Sequence, residues 1–292
     1  MREVDLKKVK YVLPAEKIDM DGFPVKQALP THKIQQVDPF LLLHHATVKF
    51  NKNRAAKHQG VGPHPHRGFS PVTFIVEGEV RHRDSWGHDQ VAKAGEVQWM
   101  HAGAGIVHSE RPSEELVQAL GRQEIIQLWI NSPSSAKMQP PEYTYLTLEA
   151  MPIIISEDKK IKTKLIAGNF REQKAPVIPK SELLVLWGIG EEGGIEQFKI
   201  PENFNCMLYL IKGSLNIKGY GLVEAEQLIV FGESGDAIEI SLKKDSQFLI
   251  LSGKPLDQKV TQHGPYVMNT QTEVLEAMRD YKMGKMGILI ED

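Results

Sequence analysis

Val72-Thr73-Phe74-Ile75-Val76-Glu77-Gly78-Glu79-Val80-Arg81-His82 reads as strand, turn, strand, with β-branched and aromatic residues on both sides of one glycine. Pro71 has no N–H to give and suits the start of the first strand or a bulge. Gly95-Glu96-Val97-Gln98-Trp99-Met100 begins another strand after a second glycine turn. The order then returns: Met207-Leu208-Tyr209-Leu210-Ile211-Lys212-Gly213-Ser214-Leu215-Asn216-Ile217 parallels the Val72 run, and Ala225-Glu226-Gln227-Leu228-Ile229-Val230 parallels the Gly95 run. Such self-similarity marks a tandem duplication. Helical periodicity is scarce elsewhere, so the chain is expected to be mainly β, with two tandem β-barrels.

The polar stretch Asn131-Ser132-Pro133-Ser134-Ser135, followed by Pro140-Pro141, is too stiff to continue a strand and is the expected link. It gives an N-terminal domain of residues 1-135 and a C-terminal domain of residues 136-292. One short helix is legible near the end. Thr270 and Glu273 make a capping box, Val274, Leu275, Met278 and Tyr281 form an apolar stripe, and Arg279, Lys282 and Lys285 gather around its end, near Gly284 and Gly287. The stripe is expected to dock on one of the barrels, the first by preference.

Two pairs of potential metal ligands flank the opening run. His64-Pro65-His66 and His108-Ser109-Glu110 are each spaced i and i+2, so on strands each pair directs both donors to one face. Glycines beside both pairs are suited to the turns that bring two strands of a small barrel together. Four donors, His64, His66, His108 and Glu110, would then meet on one divalent ion and leave open positions if the ion prefers six ligands. The lack of thiolate argues against a closed structural zinc site, and the nitrogen and oxygen set accepts Fe, Mn, Ni, Cu or Zn. Matching Gly78 to Gly213 places His64 and His66 on Lys199 and Pro201, so the second barrel is expected to have no site.

Composition sets the outer bounds. With 292 residues and 41% apolar content the chain can build a real core, as one large domain or two. With 35 basic and 37 acidic residues it lacks the positive excess that binding a nucleic-acid backbone requires. Cys206 is a lone cysteine in a strand-like run, which excludes an internal disulfide and suits a small buried hydrophobe. The N-terminal Met1-Arg2-Glu3-Val4-Asp5-Leu6-Lys7-Lys8 lacks a secretory signal's apolar stretch, and no run approaches the roughly 18 apolar residues of a membrane span. A cytoplasmic monomer is expected.

These residues resemble the pirin family, two-domain members of the cupin superfamily. The resemblance rests on His64-Pro65-His66-Arg67-Gly68-Phe69, on Val76-Glu77-Gly78-Glu79 with His82-Arg83-Asp84, and on Gly95 to Met100 leading through Ala102-Gly103 to Gly105-Ile106-Val107-His108-Ser109-Glu110. Gln127-Leu128-Trp129-Ile130-Asn131 and Gly264-Pro265-Tyr266-Val267-Met268-Asn269-Thr270 extend it. It implies a bicupin whose first barrel holds one divalent metal, iron first, through the residues matching His64, His66, His108 and Glu110. Some members oxidise quercetin with O₂, and others are described as nuclear cofactors that bind transcription factors.

The chain departs from that pattern at informative places. An acid expected just after the histidine pair is replaced by Ser70-Pro71, so the anionic charge falls on Glu110. His101 stands where a small hydroxyl residue is expected, and it either lines the pocket or is a satisfied structural histidine. Of the adjacent His44 and His45, at most one can easily face the cavity. His58, His82 and His88 read as loop or surface residues. Phe69, Trp99 and Met100 read either as pocket walls or as plain core.

The resulting expectation is a metal-dependent dioxygenase of the quercetin 2,3-dioxygenase type, acting with O₂ on a flavonol or other enolic or phenolic substrate. Glu110 would be both ligand and proton acceptor. The same donors would also serve hydrolysis or isomerisation. The alternative is a non-catalytic, iron-binding, redox-sensing protein that binds a regulatory protein partner.

Overall fold

The structure, a computed structural model, describes residues 4–20 and 23–291. Met1, Arg2 and Glu3, part of the N-terminal stretch considered above, lie outside them. The chain forms two compact units, each a cupin-type barrel of one seven-stranded and one four-stranded antiparallel sheet. The duplication is therefore structural as well as textual. Gly78 and Gly213 sit at corresponding turns with φ of 76° and 86°, a region where a side chain is strained. A Cβ at either would also strike backbone, at Arg122 and Asp245 respectively.

In the first barrel the larger sheet runs Glu142–Leu146, Val97–His101, Phe69–Glu77, Arg122–Asn131, Phe40–Lys49 in spatial order before its outer strands. Phe69–Glu77 is central and buried along almost its whole length, which is why it reads as a continuous apolar run rather than an alternation. The smaller sheet runs Val61–His66, Ile106–Arg111, Glu79–Asp84, Asp89–Lys93. Here alternation is clean: Val80, His82 and Asp84 are buried, whereas Arg81 is exposed and Arg83 only half-buried.

In the second barrel the strands Ile195–Lys199 and Ala237–Leu242 pair as the ligand hairpin does in the first. Its buried positions carry Phe198, Ile238 and Ile240, all members of a large apolar core with Phe248. Burying one such side chain contributes about 1.5–3 kcal/mol. The strand ends at Lys199, so Pro201, matched above to His66, lies beyond it; counting from the glycine turn missed the differing loop lengths. Cys206 is buried in the same core, and burial pushes its thiol up to about 12.

The units are not the continuous halves 1-135 and 136-292. The metal-ligand unit comprises residues 17–25, 40–148 and 257–292, and the other comprises the segment up to Glu16 with residues 26–39 and 149–256. Two observations explain the difference. Past Pro140-Pro141 the chain resumes as the strand Glu142–Leu146, paired with Val97–His101 in the first barrel, so the proline-bearing stretch is a loop within a unit. The corresponding edge of the second barrel is filled from the start of the chain, by Val9–Pro14 against Gln227–Phe231.

The C-terminal helix, Gln271–Lys282, has the expected capping box between Thr270 and Glu273. Ala277 packs with Val107, Tyr266, Met286 and the half-buried Met278 on the first unit's ligand-bearing sheet. Val274 is also buried, but Leu275 is 57% exposed, so the buried stripe passes through the small Ala277 instead. No helix among the described residues is long and apolar enough to cross a membrane.

Candidate metal centre

Val61–His66 and Ile106–Arg111 form an antiparallel pair in which His64 lies opposite His108 and His66 opposite Ile106. Because i and i+2 share a face, His66 joins His64 and His108 on one side of the hairpin. The donor atoms of these three histidines all lie within 4.8 Å of one another, the one such group among the described residues. His64 Nε2 and His66 Nε2 are only 3.1 Å apart.

The turn that lets the chain leave this hairpin is Gly68, at φ +87°. A Cβ there would collide with the Val267 carbonyl and lie 2.9 Å from Met268 Sδ. Lys137 secures the same corner: its buried ammonium donates to Gly68 O at 2.7 Å, Asn131 Oδ1 at 2.6 Å and Val267 O at 2.9 Å. Arg67, next to His66, donates from Nε to Ala104 O at 2.6 Å and pairs with Asp280 of the C-terminal helix at 3.1 Å. The histidine-bearing strands are thus braced by the end of the chain.

The protonation chemistry suits a cation. Burial, and then the neighbouring His64 ring, holds His66 and His108 well below the usual imidazole range, so both are neutral donors near pH 7. His64 Nδ1 donates to Gly62 O at 2.8 Å, which leaves its Nε2 lone pair facing the cluster. His108 Nε2 is buried with no hydrogen-bond partner among the described residues. An orphaned buried polar atom costs about 1–3 kcal/mol, and a bound ion would remove that cost. Two neutral imidazoles beside the Nε2 of His64 therefore fit a divalent metal.

Glu110 lies two residues beyond His108, past a register shift in the ladder, and is 9% exposed. It stands outside the three-histidine group. Its Oε1 accepts from Thr73 Oγ1 at 2.9 Å and its Oε2 from Gln127 Nε2 at 2.8 Å. Gln127 in turn accepts from Trp129 Nε1 at 3.3 Å. Aromatic rings close one side: Phe69 and Trp129 lie 4.9 and 5.3 Å from the His66 ring. Met100 instead packs with Ala102, Ile106 and Tyr143, and Trp99 is buried.

Two models of known families match: pirin over residues 22–130 and the pirin C-terminal cupin domain over residues 190–287. A Pseudomonas aeruginosa protein provisionally named a quercetin 2,3-dioxygenase is 35% identical over 267 residues, covering 91% of this chain and 92% of its own. The chain belongs to the pirin family. Pirin-1 of Arabidopsis thaliana is 34% identical over 285 residues, with 96% and 94% of the two chains covered. Among solved structures, the crystal structure of a quercetin 2,3-dioxygenase from Acinetobacter baumannii superposes with a TM-score of 0.89 at 33% identity, covering 98% of this chain and all of that one.

The remaining histidines of this pirin take distinct places. His44 is directly opposite Gln127 on the neighbouring strand and so shares the face from which Gln127 reaches Glu110; burial lowers it to about 4. His45 points the other way and meets Glu124 Oε1 at 3.0 Å. His101 is a satisfied structural residue, its Nδ1 near Ser70 Oγ at 3.3 Å and its Nε2 donating to Ala136 O at 3.2 Å. His82, read above as a loop or surface residue, is 2% exposed and 3.4 Å from His108 Nδ1. The signal that places it was present: in Val80-Arg81-His82-Arg83-Asp84, alternation from the apolar Val80 puts His82 and Asp84 on the inner face. His88 is half exposed and follows the same Asp84 in a turn.

Proposed function

We propose that this pirin is a metal-dependent dioxygenase of the quercetin 2,3-dioxygenase type, acting on a flavonol or another enolic or phenolic substrate. The observation that carries the reading is the cluster of His64, His66 and His108, whose donor atoms lie within 4.8 Å of one another, with His64 half-buried, His66 and His108 buried and neutral, and no hydrogen-bond partner for His108 Nε2 among the described residues. We assign Glu110 as the fourth donor and iron as the first choice of metal, with manganese, nickel, copper or zinc accepted by the same set. A divalent ion bound there supplies Lewis acidity and a template for an acidic oxygen.

The chain's own residues supply the rest. Glu110 accepts the proton of the substrate's enolic or phenolic hydroxyl, and Thr73 and Gln127 hold the carboxylate in place through neutral donors. Phe69 and Trp129 pack with ring centroids 4.3 Å apart and planes tilted by 35°, and offer an apolar wall beside His66 that suits a flat aromatic substrate and excludes water. The names borne by the Pseudomonas and Acinetobacter relatives support the same substrate class.

Oxygen uptake with quercetin by the iron, manganese, nickel and copper forms tests the reading. Turnover by at least one form, lost in Glu110→Ala while bound metal is still found by elemental analysis, is the expected result. No uptake from any form across a flavonol panel would reject the oxygenase and leave a metal-binding protein with a protein partner. Unchanged metal content in His64→Ala would reject the site itself.

A further inference from the structure

Asp84 lies behind the metal centre with its side chain fully buried. Four donors saturate its carboxylate. Oδ1 accepts from the backbone N–H of Trp86 at 2.9 Å and of His88 at 3.1 Å. Oδ2 accepts from His82 Nε2 at 3.0 Å and from His88 Nδ1 at 2.7 Å. The Tyr143 ring stacks on His82 at 4.3 Å and 11°, which fixes the imidazole plane. The opposite edge of that imidazole, Nδ1, faces His108 Nδ1 at 3.4 Å.

We propose that Asp84, acting through His82, sets which ring nitrogen of His108 carries the proton and so keeps His108 Nε2 free as a metal donor. The inference rests on the three histidines holding a metal, and not on the oxygenase reading. A carboxylate is an acceptor only, so it fixes the proton of His82 on Nε2. With that single proton on His82, its Nδ1 is a lone pair, and the only hydrogen bond it can make to His108 is one that His108 Nδ1–H donates. The proton of His108 is thereby held on Nδ1, and the lone pair of Nε2 turns to the cluster, where it has no partner. His64 reaches the same state by a different device, its Nδ1–H given to Gly62 O. Asp84 and His82 are positioning residues: they orient a ligand and touch neither ion nor substrate.

Asp84→Asn tests the relay. The two backbone N–H groups that bind Oδ1 select the amide oxygen for that place, so the new NH₂ takes the place of Oδ2 and becomes a donor. His82 must then accept at Nε2 and carry its proton on Nδ1, which drives the proton of His108 onto Nε2 and blocks it. Calorimetric titration of the metal-free protein with nickel(II) is expected to show affinity about 10–100-fold weaker than that of the native protein. His88→Gln is expected to bind as the native protein does. Asp84→Asn placed on His82→Phe is expected to lose nothing further, because the relay is already broken.

Nitrogen-15 NMR of the metal-free native protein gives the tautomer without any variant, and the expected spectrum has the proton of His108 on Nδ1. A proton on Nε2 would overturn the inference, as would native-like nickel(II) affinity in Asp84→Asn with a native circular dichroism spectrum. If Asp84→Asn does not fold, the spectrum decides alone. A native protein that takes up no nickel(II), zinc(II) or iron(II) would instead reject the metal reading, and this inference with it.

Discussion

Glu110 is a buried acid anchored by one hydroxyl and one amide. Thr73→Val removes the Oε1 donor and is expected to cost about 1.5–3 kcal/mol, read as a lower urea midpoint for the metal-free protein. His44, His66 and His108 add a pH dependence. Each is held below the ordinary imidazole range when folded, His44 at about 4, chiefly because burial disfavours the charged ring. As pH falls below about 6.5 the unfolded chain takes up protons that the native state refuses, so stability falls, by up to about 1.4 kcal/mol per pH unit for each ring. Urea unfolding of the metal-free protein between pH 7 and 5 should show this loss, with a shallower slope in His44→Gln; a flat profile would contradict the assigned burial effect. The clustering of His64, His66 and His108 was legible from the i and i+2 pairs they belong to, because strand geometry is local. His82 was not, because two of its partners, His108 and Tyr143, come from other strands, and only the alternation from Val80 to Asp84 hinted at its side.

The C-terminal helix was legible because a capping box is a local device. Thr270 accepts from Glu273 N at 3.2 Å while Glu273 Oε2 accepts from Thr270 N at 2.7 Å. Thr270→Ala is expected to cost about 0.5–2 kcal/mol in a thermal or urea transition. Its buried face was harder to read, since Ala277 carries little hydrophobic signal and yet is buried in one cluster with Val107. The proline-bearing segment after Asn131 misled for a related reason. Proline marks the end of a strand, but not whether the next strand returns to the same sheet. That choice is made by tertiary partners, among them Lys137, whose three acceptors include one from residue 267.

Across the whole molecule, two barrels were legible because the duplication repeats a glycine turn and its flanking strands. The exchange of segments was not, since an edge strand satisfies only one neighbour and its sequence does not say which sheet that neighbour belongs to. A fragment of residues 1-135 lacks the strand Glu142–Leu146 and the whole C-terminal brace. It is expected to show no cooperative thermal transition by circular dichroism, and a sharp native-like melt would contradict the discontinuous unit. The same discontinuity orders events on the ribosome. His64, His66 and His108 emerge early, but Asp280, which pairs with the Arg67 guanidinium beside them, is translated only after the entire second barrel. Completion of the braced histidine cluster is therefore a late event in the life of each chain, and a nascent polypeptide arrested before residue 257 would carry all three histidines with their scaffold unfinished.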